Sequence, residues 1–84
     1  MITDKKGEAA VSDIEQWANR ITTSVDAQMA ASVYYDEDSS TYVLRLAKGI
    51  RVLLFCLSEA QVQTREREEE CEKTLWGKIK GLSS

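Results

Sequence analysis

Thr41-Tyr42-Val43-Leu44-Arg45-Leu46-Ala47-Lys48-Gly49-Ile50-Arg51-Val52-Leu53-Leu54-Phe55-Cys56-Leu57 is the stretch from which the fold is read. β-branched, aromatic and aliphatic residues dominate both sides of Lys48-Gly49, as in strands. Gly49 accepts positive φ without a steric cost, so Lys48-Gly49 predicts a tight hairpin turn between strands 41–47 and 50–57. The connection is too short for a crossover, which makes the pair antiparallel.

Upstream, Ser32-Val33-Tyr34-Tyr35 reads as a further strand, and Asp36-Glu37-Asp38-Ser39-Ser40 as the polar turn that joins it to the hairpin. The turn resembles the opening of a calcium loop only superficially. Counted from Asp36, its sixth position is Thr41 instead of glycine and its twelfth is Ala47 instead of glutamate. A solvated turn is the expectation.

Before the sheet, Val11, Ile14, Trp17, Ala18, Ile21, Val25 and Met29 recur at steps of mostly three and four. That spacing predicts an amphipathic helix. It is expected to open at a Ser12–Glu15 capping box and to run to about Ala31. Residues 1–10 read as a flexible lead-in, leaving 11–84 as a single α+β domain. After the sheet, Ser58-Glu59-Ala60-Gln61 offers a second capping box. Cys71, Leu75, Ile79 and Leu82 then repeat at helical spacing, with Trp76 beside them and Gly81 as the expected C-cap. The fold class is therefore α+β in αβββα order: a three-stranded antiparallel meander with two helices packed on it.

Length and composition bound what such a domain does. At 84 residues it holds one core, and small domains often need a second subunit, a metal or a disulfide for support. There is no histidine, which removes the usual triads and most zinc sites. Cys56 and Cys71 lack CxxC spacing, and no Gly-rich phosphate loop occurs. Residues 1–10 carry no export-type apolar segment, so a cytoplasmic location with reduced thiols is expected. No run is long enough to cross a membrane. The carboxylates Glu66, Glu68, Glu69, Glu70 and Glu72 alternate with Arg65, Arg67 and Lys73, as on a solvated, ion-paired helix face. Catalytic, cofactor and metal residues are thus expected to be none.

The last strand carries the functional reading. Val52, Leu54 and Cys56, with Ile50, alternate with Arg51, Leu53, Phe55 and Leu57, so both of its faces are largely apolar. Helices on one side leave the other to a partner. The sequence leaves open which side is the monomer core. If the helices cover Ile50, Val52 and Leu54, the candidate interface is Leu53, Phe55 and Leu57 with Val43. The expected partner is then a second copy in a homodimer, with an unidentified protein partner also compatible. The expected role is a non-enzymatic accessory or regulatory interaction module.

The alternative is weak nucleic-acid binding by a basic edge of Arg45, Lys48 and Arg51 around the strand turn. The net charge of −3 opposes it. The element order is similar to that of double-stranded-RNA-binding domains. Those carry lysines at the start of the second helix, where this chain has Ser58-Glu59-Ala60-Gln61, so the similarity stops at the layout.

Overall fold

The two-residue turn at Gly49-Ile50 sets the geometry of the whole sheet. Gly49 adopts φ 61°, as the first central position of a tight hairpin of the II′ kind requires. Lys48 and Arg51 close the turn as a cross-strand pair, and every later pair in the hairpin follows from that register. A computed structural model describes residues 1–83. It shows α1 (Glu8–Val25), β1 (Ala30–Asp36), β2 (Thr41–Lys48), β3 (Arg51–Ser58), α2 (Glu59–Gln63) and, after a 3₁₀ turn at Arg65–Arg67, α3 (Glu68–Ser83). The three strands form one antiparallel sheet in the order β1-β2-β3. The expected α+β order holds, with α1 lying mainly over β1, and α3 over β3 and β2.

All helices sit on one face of the sheet. Ile14, Trp17 and Ala18 of α1 and Cys71, Leu75, Ile79 and Leu82 of α3 are buried. They meet Ala31, Val33, Tyr42, Leu44, Leu46 and Leu57 of the strands in one continuous core. Burial of the valine, leucine and isoleucine side chains among them, at roughly 1.5–3 kcal/mol each, contributes most of what offsets the entropy of ordering the chain.

Helix α1 begins a turn earlier than the capping box at Ser12 predicted. Ala10 is fully buried and extends the stripe Ile14, Trp17, Ala18 backwards, so packing favours helix from Glu8. Ser12 then lies inside the helix, where its hydroxyl accepts a weak bond from Gln16. The N-cap is Gly7, whose φ of 61° is suited to glycine. Its backbone N–H donates to the Tyr42 hydroxyl at 2.9 Å and, less closely, to Glu59 Oε1 at 3.2 Å. The segment read as a lead-in is thus held at several points: Ile2 N–H donates to the Val62 carbonyl, and Thr3 Oγ1 to Asp13.

The other end of α1 is also corrected. The helix stops at Val25 because Asp26 turns extended and its carboxylate accepts from the Gln28 N–H. Met29, which extended the periodicity by one step, is buried in the connection to β1. Asn19 joins α1 to that strand. Its side-chain amide donates to the Ala31 carbonyl at 2.8 Å and accepts from the Ala31 N–H at 3.1 Å, in the manner of a neighbouring strand.

The capping box at Ser58 forms as expected, with Ser58 Oγ accepting from the Gln61 N–H and the Gln61 side chain accepting from the Ser58 N–H. The helix it opens is short. The charged, apolar-poor stretch after Val62 gives nothing to bury, so the chain turns through Thr64 and Arg65–Arg67 before α3 starts. Gly81 is not a cap but lies within α3.

Candidate functional site

Register decides which residues line the face that no helix covers. Three rows cross the sheet there: Ala30–Ala47–Val52, Ser32–Arg45–Leu54 and Tyr34–Val43–Cys56. A fourth, Asp36–Thr41–Ser58, lies beside the acidic turn. Tyr34 is 56% exposed, Val52 48% and Leu54 58%, and Cys56 is exposed beside them. Val43 lies at the middle of the sheet between Tyr34 and Cys56; these neighbours shield it to 8% exposure without any helix above it.

Three of the four residues expected at the interface lie on the other face of the sheet. Leu53, Phe55 and Leu57 face the helices: Leu57 is buried, while Leu53 and Phe55 are half-buried and packed against the core. Leu53 pairs with Leu46, Phe55 with Leu44 and Leu57 with Tyr42, all three of them fully buried. Of the four residues, Val43 alone is on the open side. Val52, Leu54 and Cys56 replace the others, and Ile50 stands fully exposed at the hairpin tip. The decisive signal was present in the sequence: a two-residue turn after Lys48 places Leu54 opposite Arg45, and a lone arginine marks the strand face that meets water.

The basic edge is divided in the same way. Arg45 projects from the open face. Lys48 lies on the opposite face, 2.6 Å from Asp26 Oδ2, and Arg51 is its cross-strand neighbour there. Lys48 is thus already neutralised, and Arg45 and Arg51 point to different sides of the sheet.

Elsewhere the polar groups serve the fold. The acidic turn is a capped hairpin, with Asp36 Oδ1 accepting from the Asp38 N–H at 3.1 Å and Oδ2 from the Ser39 hydroxyl at 3.0 Å. Burial pushes the Tyr42 phenol up, and its hydroxyl joins Gly7 to Glu59. Of the α3 glutamates, Glu68 is half-buried and pairs with the N-terminal ammonium at 3.1 Å, while Glu69, Glu70 and Glu72 are exposed, with Glu69 reaching Lys73 at 3.5 Å across one helical turn. Trp76, 38% exposed, carries the Lys80 ammonium 5.1 Å from its ring centroid. Two shallow surface depressions each run along a single stretch of chain, one on the outer side of α1 and one from Glu66 to Thr74. No helix among the described residues is long and apolar enough to cross a membrane.

No protein-family model, curated protein or solved structure matches the chain. The open sheet face is therefore the feature on which a functional reading rests.

Proposed function

We propose that this protein is a non-enzymatic interaction module, accessory or regulatory in role, that pairs with a second copy of itself through the open face of its sheet. The observation that carries the reading is the grouping of Tyr34, Val52, Leu54 and Cys56 as solvent-exposed side chains around Val43. Scattered surface hydrophobics are ordinary, but a contiguous apolar sheet face is a contact surface. Two such faces pack about 10 Å apart with their strands within about 30° of one another.

The size of the face sets the strength. Strands of this length and spacing give a footprint of roughly 27 by 14 Å, about 400 Å² per copy. That belongs with small, reversible contacts and not with obligate dimers. The pairing is accordingly concentration-dependent.

Sedimentation velocity over a concentration series tests the proposal, together with far-UV circular dichroism of two variants. Leu54→Asp places a carboxylate on the open face and is expected to give a folded monomer. Phe55→Asp places it against the core and is expected to unfold the chain. A parent protein that stays monomeric at the highest attainable concentration, or a Leu54→Asp variant that dimerises like the parent, overturns the reading.

A further inference from the structure

The strand positions of the open face carry two charged residues, one of each sign. Arg45 lies in the row of Ser32 and Leu54, and Asp36 in the row of Thr41 and Ser58. The apolar row Tyr34–Val43–Cys56 separates them. Two residues of strand rise divide successive rows, so the charges stand about 14 Å apart along the strands. Neither belongs to any ion pair among the described residues. Asp36 spends one acceptor site of each oxygen on its own turn, and a carboxylate has about four, so it can still receive a guanidinium.

An arginine at the centre of an apolar face is costly to cover unless a carboxylate arrives with the covering surface. A second copy brings one in only one of the two simple symmetric arrangements. With the two-fold axis along the strands, each row lies over its own copy, and Arg45 meets Arg45. With the axis across the strands, along the Tyr34–Val43–Cys56 row, the rows on either side exchange places. Arg45 of each copy then lies over the row that holds Asp36 of the other. One strand spacing of about 4.8 Å and one sheet spacing of about 10 Å separate their backbones by about 11 Å, within the span of an extended arginine and an aspartate.

We propose that the dimer is the crossed arrangement, with its two-fold axis along the Tyr34–Val43–Cys56 row and two reciprocal Arg45–Asp36 ion pairs. The inference rests on the self-association proposed above and adds its geometry. The contact is isologous, each copy supplying both members of the pattern. The two Cys56 side chains face each other across the axis, while the hairpin tips at Ile50 lie at opposite ends of the assembly.

Charge exchange tests it. The dimer dissociation constants of Arg45→Glu, Asp36→Lys and the double variant are measured by sedimentation, with circular dichroism as a check of folding. Each single reversal is expected to weaken dimerisation by tenfold or more, and the double variant to recover most of the loss, as close interfacial charge pairs do. If Asp36→Lys disrupts its turn, Asp36→Asn keeps the acceptor for the Asp38 N–H and is combined with Arg45→Gln; effects of the pair that fail to add support the contact, and additive effects overturn it. Spin labels at the exposed hairpin tip, in Ile50→Cys combined with Cys56→Ser, supply a second readout, since this geometry requires the tips to be far apart. A parent dimer that Leu54→Asp dissociates, but that shows no rescue by charge exchange or has its tip labels close together, overturns the crossed arrangement and leaves the self-association standing. A monomeric parent removes both.

Discussion

Lys48 Nζ lies 2.6 Å from Asp26 Oδ2, joining the last residue of β2 to the residue that ends α1. The Ser83 hydroxyl donates to the same oxygen at 3.0 Å, so the C-terminal ends of α1 and α3 meet there. The bond from Lys48, followed by that from the Gln28 N–H, holds the Asp26 carboxyl below its usual range. A carboxyl lowered in the folded state binds fewer protons there than in the unfolded chain. Its contribution is therefore complete above the ordinary aspartate range near pH 4 and is lost as pH falls through and below it. Urea midpoints measured from pH 7 to pH 3 should fall more steeply in the parent than in Asp26→Asn.

Thr22 is fully buried in α1, and its hydroxyl has no hydrogen-bond partner among the described residues. A buried, unpaired hydroxyl costs about 1–3 kcal/mol, whereas a methyl group of the same shape costs nothing in polarity. Thr22→Val should raise the stability by about 1 kcal/mol in chemical denaturation. A midpoint that falls would mean that the hydroxyl is satisfied in solution.

Trp17 is 5% exposed and sits at the centre of the α1 stripe. Removing a buried tryptophan costs about 3–5 kcal/mol in transfer and cavity terms. Stabilities of small domains are of that order, so Trp17→Ala should be largely unfolded by circular dichroism. Retention of the parent melting temperature would place the indole outside the core.

The two free thiols differ in access. Cys56 is exposed, while Cys71 is buried, and burial pushes its thiol up, which lowers the reactive thiolate fraction. Mass measurement after alkylation should show one rapid modification in the native protein and a second only on unfolding. Modification of Cys56 should slow as protein concentration rises, because a second copy would cover it.

The strands and their order were legible because alternation and the Gly49 turn are local signals. The start of α1 was not, since Ala10 is drawn into a core assembled from distant elements; its end turns on the Asp26–Gln28 bond, a local signal that the apolar step from Val25 to Met29 masked. The anchoring of Gly7 to Tyr42 crosses the same kind of distance and left no mark near Gly7. The faces of β3 look alike when that strand is read alone, because Leu53 and Leu54 are both leucine. They separate only when the register is followed to Leu46 and Arg45 on β2.

The pairing of Asn19 with Ala31 also bears on how far the sheet can grow. A strand joining the outer side of β1 needs a free run of backbone donors and acceptors, and the Asn19 amide already occupies those of Ala31. Propagation by edge addition requires two receptive edges in every copy. The Asn19 amide closes that edge at Ala31, so a strand adding to the outer side of β1 has to pair from Val33 onward and meets a shortened template.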